Sequence, residues 1–493
     1  MALKQTTVQQ GKLEGIASKN PAITVFKGIP YAAPPVGALR WKAPAPAASW
    51  DGVRTCATFG NISIMPVFAD TSIYKREFNQ NYPPMSEDCL YLNIWTPAES
   101  AGEKLPVMFW IHGGGAQSGY GHEIEFDGDA LAAKGVIVVT INYRLNVFGF
   151  LAHPALTAES PHQSSGNYGL LDQIAALHWV RDNIGAFGGD AENITIFGQS
   201  AGGRSVESLS CSPLTKGLFR RAIMHSAGKY GARDPEPTKE QIGEQVQKIM
   251  AANGWRSIDD MRAVSGRALF DAVCAASQIR LLNFCVDGYV LPGPLGMSVK
   301  DGLFHDVDYM FGTAANENMA VPDPGMTPGD FEKLLAGESE TSAAYVRLAQ
   351  PKTNEEARYY ALKKTGYAFR AAQRNWARRL LSSGRKPAYM YCFSRDLPGD
   401  TLGAFHSSEL WYVFGTLGRC WRPMEKSDYE LSDKMTSYWT NFARTGDPNG
   451  SGLPRWNPFE ADGEQSIDLN TTIQMQSSDD KVLAGLEDFL AGN

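Results

Sequence analysis

Short apolar segments alternate with amphipathic ones along the chain, and this alternation predicts strands separated by helices. Apolar runs of strand length cover residues 90–95, 107–111, 136–143, 194–197, 222–224, 309–312 and 389–393. Helical spacing of apolar residues covers 168–184 and 432–442. Runs such as 107–111 and 136–143 are apolar enough to be buried on both faces of a sheet. We therefore predict an α/β fold with a large, mostly parallel central sheet flanked by helices.

Four other stretches complete the predicted architecture. Residues 7–27 have the pattern of a β-hairpin, and the polar, Gly- and Pro-containing residues 60–86 are predicted to be a surface loop. Two charged helical tracts, about 236–278 and 328–383, are predicted to be insertions on the sheet. They are candidates for a lid or pocket wall, and plain helical cover is an equal alternative. Because large α/β enzymes often form one compact unit, we expect a single domain over residues 1–493.

Composition excludes several classes of protein. The formal net charge is -7 and no block of lysine or arginine occurs, so a nucleic-acid partner is not expected. The apolar runs are too short to cross a bilayer, so no membrane partner is expected either. The N-terminus has no hydrophobic signal region, and we expect the chain as given to be cytoplasmic, although a secretory signal removed beforehand would leave the same sequence. Seven scattered cysteines without a C-x-x-C spacing favour buried reduced thiols.

A glycine-flanked serine follows the apolar run 194–197. The sequence Gly198-Gln199-Ser200-Ala201-Gly202 lies between that strand and a helix-compatible run, as in a nucleophile elbow. In a chain with 49 glycines such a motif also arises by chance. The prediction of a nucleophile therefore requires an oxyanion hole, an acid and a histidine elsewhere in the chain.

A glycine triplet follows the apolar run 107–111. Adjacent glycines in His112-Gly113-Gly114-Gly115 allow successive backbone N–H groups to point into one cavity, where they would stabilise an oxyanion. A flexible turn is the alternative. We expect the donors to be the N–H groups of Gly114, Gly115 and Ala201.

Three of the eight histidines lie after Ser200, where the elbow architecture requires the base. His225 ends a predicted strand and is expected to be buried or to lie behind the catalytic residues, whereas His305 lies in a polar stretch and is expected to be exposed. His406 follows a loop that could deliver it to the serine, so it is the predicted base.

The acid should follow a core strand between Ser200 and the base. Glu317 fits best because it comes just after the run 309–312, and Asp287 and Asp308 are rivals on composition alone. An acidic stretch at residues 122–129 lacks the twelve-residue pattern of a calcium loop. We expect no metal and no cofactor.

With these residues identified, the chain resembles a type-B carboxylesterase of the cholinesterase/carboxylesterase family, which has the α/β-hydrolase fold. It is similar to bacterial para-nitrobenzyl esterases over about residues 7–459. The motifs that carry the resemblance are FKGIPYAAPPVG at 26–37, SEDCLYLN at 86–93, HGGG at 112–115, NYR at 142–144, GNYGLLDQ at 166–173, FGGD at 187–190 and FARTGDPN at 442–449.

The resemblance implies a function and a set of roles. It implies a serine carboxylesterase that acts on small-molecule esters through an acyl-enzyme, with helical insertions around an active-site gorge. Ser200 is implied as nucleophile, Glu317 as acid and His406 as base, with Ser226 supporting them. An acyltransferase with the same triad, or a non-catalytic binding member of the fold, are the alternatives. The oligomeric state does not follow from the sequence.

Three positions depart from the family pattern. Gln199 stands where the family usually has glutamate, which predicts neutral or anionic esters as substrates rather than choline esters. Ser63 stands where a cysteine usually pairs with the one at Cys89, so that disulfide is predicted to be missing. The residues around Glu317, Ala-Asn-Glu-Asn, differ from the usual Asp-Glu-Gly.

Two further side chains are candidates for substrate binding. Arg204, four residues past Ser200, could contact a substrate carboxylate, although an exposed arginine on the helix surface is the favoured alternative. Trp411 could line an aromatic pocket or pack in the core.

Overall fold

The apolar runs form strands whose bounds differ from the predicted ones by a few residues. The computed structural model describes residues 3–276, 282–460, 466–477 and 480–492. The strands are β1 (Gln5–Val8), β2 (Gly11–Glu14), β3 (Ile16–Ala17), β4 (Thr24–Pro30), β5 (Val53–Thr55), β6 (Tyr91–Thr96), β7 (Leu105–Ile111), β8 (Ile137–Ile141), β9 (Gly189–Gln199), β10 (Arg221–His225), β11 (Asp308–Ala314), β12 (Tyr389–Phe393), β13 (Ser466–Leu469) and β14 (Gln474–Gln476).

Helices separate most of the later strands. They are α1 (Ile73–Glu77), α2 (Asp129–Ala132), α3 (Asn146–Gly149), α4 (Pro154–Glu159), α5 (Tyr168–Asn183), α6 (Ala201–Cys211), α7 (Lys239–Ala252), α8 (Ile258–Ala263), α9 (Gly266–Ala275), α10 (Leu295–Lys300), α11 (Pro328–Leu335), α12 (Glu340–Ala349), α13 (Asn354–Ser382), α14 (Leu410–Val413), α15 (Lys426–Thr445) and α16 (Lys481–Ala491).

The first of two compact units comprises Met1–Arg221 and Glu236–Gly293. Its strands lie in the order β9-β7-β8-β6-β4-β3, and β7 pairs in parallel with both β8 and β9. The strands β6, β4 and β3 are antiparallel to their neighbours. Every residue from Pro106 to Ile111 is buried, because helices and loops cover both faces of β7.

The second compact unit comprises Ala222–Pro235 and Pro294–Asn493. Its strands lie in the order β14-β13-β12-β11-β10, with β11 and β13 parallel to β12. The register pairs Ala314 with Phe393, so β11 and β12 end at the same edge of the sheet. The segments that follow these two strands therefore leave from one place, and they carry Glu317 and His406.

Several predictions of local structure need correction. Residues 60–86 are not purely a surface loop, because they contain α1 and because Ile62, Met65 and Glu77 are fully buried. The strands β13 and β14 are short and were not predicted. The helix α16 was also missed, although its buried residues follow a helical spacing.

The two tracts predicted to be helical hold α7 to α9 and α11 to α13. Residues 277 and 278, at the end of the first tract, lie outside the described residues. A lid role for these tracts and a single domain over residues 1–493 remain predictions. None of the helices in the described part of the chain combines the length and apolar character that a membrane crossing requires.

Candidate active site

Ser200 occupies a strained turn between β9 and α6. Its backbone has φ 56° and ψ −121°, a combination that non-glycine residues rarely adopt. The turn is tight because α6 begins directly after it, and a Cβ on Gly202 would lie only 2.0 Å from the carbonyl oxygen of Ile111. Ser200 keeps partial solvent access, whereas Gln199 and Ala201 on either side are buried.

The glycine triplet lies beside this turn in the first unit. The register between β7 and β9 pairs Ile111 with Gly198, so both strands deliver their following loops to the same point. Gly114 has φ 92°, and its carbonyl accepts the N–H groups of Gln117 and Ser118 at 3.0 Å each. A Cβ at Gly114 would lie 2.1 Å from the Ser118 carbonyl oxygen, so only glycine fits there.

His112, which directly precedes the glycine triplet, is held in place by Tyr143. Its ring stacks on Tyr143 with centroids 4.4 Å apart, and the Tyr143 hydroxyl donates to the His112 carbonyl at 3.0 Å. Burial lowers the pKa of His112 to about 3, so this histidine is neutral. The residue that begins the glycine loop is therefore anchored and uncharged.

His406, Glu317 and Ser226 form a hydrogen-bonded chain in the second unit. Nδ1 of His406 bonds Oε2 of Glu317. The other carboxylate oxygen accepts the Ser226 hydroxyl at 2.5 Å and the Ala314 N–H at 2.7 Å. Because a carboxylate only accepts, the proton of a neutral His406 lies on Nδ1, and Nε2 keeps its lone pair.

The surroundings of His406 favour the charged form of its imidazole. Burial alone lowers the pKa of His406, but the charge and hydrogen bond of Glu317 outweigh burial, and the pKa lies above its ordinary value. Glu317 and His406 are 4% and 9% exposed, so little water screens their interaction. Such a pair can hold a proton that His406 receives from a hydroxyl.

Glu409 is a buried neighbour that the sequence did not single out. Its carboxyl is fully buried and lies 3.6 Å from Nδ1 of His225. Burial and the negative charge of Glu317 raise the pKa of Glu409 to about 8. Glu409 is therefore largely protonated at neutral pH. Its position three residues after His406 was the available signal.

His225 has a different role from His406. Its Nε2 accepts the Trp439 indole N–H at 3.1 Å, and its Nδ1 lies 2.8 Å from the Tyr391 hydroxyl. Burial lowers the pKa of His225 to about 3. His225 is buried, as predicted, and with both ring nitrogens engaged it is neutral. His305 is only partly buried and lies before β11.

Asn316 and Lys363 brace the segment that carries Glu317, and the sequence did not reveal this. The Asn316 N–H donates to the Ala404 carbonyl at 3.0 Å, and its side-chain amide donates to the Leu402 carbonyl at 3.1 Å. Lys363, on α13, donates to Oδ1 of Asn316 at 3.0 Å. These bonds tie the Glu317 segment to the loop that precedes His406.

The rival acids have other partners. Asp287, in the first unit, accepts the Ser164 hydroxyl at 2.8 Å and the N–H groups of two residues in its own loop. Asp308 bonds Lys386 at 2.8 Å. Among the three candidates, Glu317 is the one whose carboxylate contacts His406.

Four further residues that the sequence singled out lie in or beside buried parts of the fold. Gln199 is 2% exposed and ends β9. Trp411 is fully buried in α14. Cys89 is a buried free thiol hydrogen-bonded to Ser63. Arg204 is not an exposed helix-surface arginine, because its side chain is 24% exposed and pairs with a fully buried Glu236.

No group of three or more His, Cys, Asp or Glu side chains arranged to hold a metal ion occurs within residues 3–276, 282–460, 466–477 and 480–492. In the acidic stretch at 122–129, His122 instead stacks on Phe59 at 4.3 Å. Glu123 and Glu125 hydrogen-bond each other there, which requires a shared proton.

Comparisons with known proteins agree on one family. The model of the carboxylesterase family matches residues 2–483. The chain is 35% identical over 477 residues to fumonisin B1 esterase of Sphingopyxis macrogoltabida, covering 92% of this chain and 84% of that protein. It is 34% identical over 506 residues to para-nitrobenzyl esterase of Bacillus subtilis (strain 168), covering 96% of each.

A solved PNB esterase structure superposes with a TM-score of 0.82 at 31% identity, covering 98% of this chain and 99% of that chain. A thermophilic PNB esterase superposes with a TM-score of 0.81 at 32% identity, covering the same shares. These likenesses confirm the predicted α/β-hydrolase fold.

Proposed function

The chain belongs to the carboxylesterase family and hydrolyses small-molecule carboxylic esters, and from this premise we propose that Ser200 is its nucleophile, His406 its general base and Glu317 the acid that orients the base. The N–H groups of Gly114, Gly115 and Ala201 are proposed as the oxyanion hole. Ser226 is a positioning residue that acts through Glu317.

In the first half of the reaction, Oγ of Ser200 attacks the ester carbonyl carbon while Nε2 of His406 accepts the hydroxyl proton. Glu317 stabilises the imidazolium that forms. The carbonyl oxygen becomes negative and is held by backbone N–H groups, each worth about 10²–10³-fold in rate in comparable enzymes. The alcohol then leaves with the proton from His406, and Ser200 keeps the acyl group.

In the second half, water attacks the acyl-enzyme. His406 accepts a proton from the water, the same oxyanion hole holds the second tetrahedral intermediate, and Ser200 leaves with that proton. The products are a carboxylic acid and free enzyme. No step requires a metal or a cofactor.

The observation that best supports these roles is the chain from His406 through Glu317 to Ser226. It sets the tautomer in which Nε2 accepts a proton, and burial shields it from water. The strained backbone of Ser200 is an independent sign of a nucleophile elbow.

The roles are tested by covalent labelling. An organophosphate should modify Ser200 with a stoichiometry of one, as seen by peptide mass spectrometry, and Ser200→Ala should abolish both labelling and ester hydrolysis. Labelling at another serine, or hydrolysis by Ser200→Ala at the wild-type rate, would contradict the assignment. A transferase would instead give a product ester in preference to the acid when an alcohol is added.

We further propose that the preferred esters are neutral or anionic rather than esters of choline. Gln199 carries no charge beside the nucleophile, so it offers no attraction to a cation, a difference of about 1–3 kcal/mol. Equal turnover of a choline ester and its uncharged carbon isostere would count against this preference.

A further inference from the structure

Two residues of the elbow segment reach solvent. Between residues 194 and 210, every residue is buried except Ser200 and Arg204. The Arg204 N–H donates to the Ser200 carbonyl at 2.8 Å, so one turn of α6, about 5.4 Å of rise, separates the two positions. Solvent therefore reaches Ser200 and Arg204 within one turn of each other.

A buried framework holds the Arg204 side chain. Its Nη2 lies 3.1 Å from Oε1 of Glu236, whose side chain is fully buried. The guanidinium lies over the ring of Phe284, 4.9 Å from its centroid. An acid on one side and an aromatic face on the other restrict the side chain to a single position, which is what a binding group requires.

Arg204 has more donors than this framework uses. A guanidinium has five N–H donors, and Glu236 takes one of them. Nε of Arg204 is buried and has no hydrogen-bond partner within the described ranges. The side chain is 24% exposed, so the remaining Nη donors can reach a second carboxylate, which guanidinium binds with two parallel hydrogen bonds.

We propose that Arg204 binds a free carboxylate on the acyl part of the substrate, so that the enzyme prefers esters whose acyl group comes from a dicarboxylic or polycarboxylic acid. The inference rests on the proposed role of Ser200 as nucleophile. The acyl part is assigned because it stays covalently attached to Ser200 during the reaction, one helical turn from Arg204. A neutral Gln199 is consistent with this, since a glutamate there would repel such an acyl group.

The test compares two esters of equal chain length. These are p-nitrophenyl valerate, which is neutral, and mono-p-nitrophenyl glutarate, which ends in a carboxylate. The quantity measured is the ratio of kcat/KM for the glutarate ester to that for the valerate ester. Arg204→Gln should lower this ratio by about tenfold or more, the effect of losing a charge-assisted hydrogen bond. Arg204→Lys keeps the positive charge but loses the planar pair of N–H donors, so it should give an intermediate ratio.

The matched control is Arg267→Gln. Arg267 is exposed on α9 and pairs with Asp271 four residues away, so this variant should keep the wild-type ratio. As a measurement independent of the variants, glutarate should inhibit the wild type competitively more strongly than valerate does. An unchanged ratio in Arg204→Gln, or equal inhibition by the two acids, would overturn the inference.

The variants at Ser200 and Arg204 distinguish an error in the catalytic roles from an error in the carboxylate site. If Ser200→Ala hydrolyses p-nitrophenyl valerate at the wild-type rate, the proposed catalytic roles are wrong. If Ser200→Ala is inactive and Arg204→Gln keeps the wild-type ratio, the catalytic roles stand and only the carboxylate site is wrong.

Discussion

Replacing Glu317 with glutamine tests the proposed base through its tautomer. In the wild type, one oxygen of Glu317 accepts two hydrogen bonds, from the Ser226 hydroxyl at 2.5 Å and the Ala314 N–H at 2.7 Å. In Glu317→Gln these donors should retain the amide oxygen on their side. The amide NH₂ then faces Nδ1 of His406 and requires an unprotonated Nδ1, so the imidazole proton moves to Nε2. Nε2 can then no longer accept the proton of Ser200.

The expected loss of kcat in Glu317→Gln follows from the change of tautomer. Orientation of the substrate and the backbone donors are unchanged, so some catalysis persists. Loss of the correct tautomer in a serine triad lowers kcat by about 10³–10⁴-fold, equivalent to ~4–5.5 kcal/mol of transition-state stabilisation. KM should change little, because Glu317 is not expected to touch the substrate.

The pH profile gives a second readout. Glu317 raises the pKa of His406 above its ordinary value of 6.5 against the opposing effect of burial. The acid limb of wild-type kcat/KM should therefore have its midpoint above 6.5, since only neutral His406 acts as a base. Without the carboxylate, burial dominates, and the midpoint for the residual activity of Glu317→Gln should move below 6.5.

The assay is steady-state hydrolysis of a p-nitrophenyl ester across pH, with thermal unfolding measured in parallel. Glu430→Gln, an exposed position on α15, is the matched control and should behave as the wild type. If folded Glu317→Gln keeps more than about one tenth of the wild-type kcat, or if its acid limb does not move, the tautomer argument is refuted.

Three further predictions concern other residues. Lys363→Met should lower kcat about tenfold at constant KM, because Lys363 braces Asn316, and Lys363→Arg should recover most of the loss; equal loss in both variants would contradict a bracing role. Burial raises the pKa of Glu123 to about 7, so its contribution to stability is present below about pH 4.5 and is lost as pH rises toward 7. The apparent thermal midpoint should accordingly fall less between pH 5 and pH 8 in Glu123→Gln than in the wild type, and an identical fall in both proteins would refute this. Gln199→Glu should raise the ratio of kcat/KM for a choline ester to that for its neutral isostere by about 5- to 150-fold, equivalent to 1–3 kcal/mol, and an unchanged ratio would show that the charge at this position does not reach the substrate.

The sequence alone was sufficient for much of the fold and for the elbow. Continuous apolar runs such as β7 and β12, with six and four buried residues, have a composition that local sequence reveals. The elbow is equally local, since two glycines flank Ser200 within five residues and Ser200 adopts a strained, positive φ. Short segments without a clear period, such as β13 and β14, could not be predicted, because tertiary contacts rather than propensity stabilise them.

Local sequence could not decide which of the three acids contacts His406. Composition left Glu317, Asp287 and Asp308 as rivals, and the register of β11 and β12 is what brings Glu317 to His406, 89 residues away in sequence. Which strands end at the same edge of a sheet is a property of the whole chain.

The sequence by itself determined where a serine, a glycine loop and a late histidine could act, because glycine spacing and strand period act over a few residues. Only the tertiary structure decided that Glu409 is a neutral carboxyl and that Arg204 is partly exposed beside a buried acid. Burial and pairing set the charge of a group and its free donors, and both depend on residues that are distant in sequence.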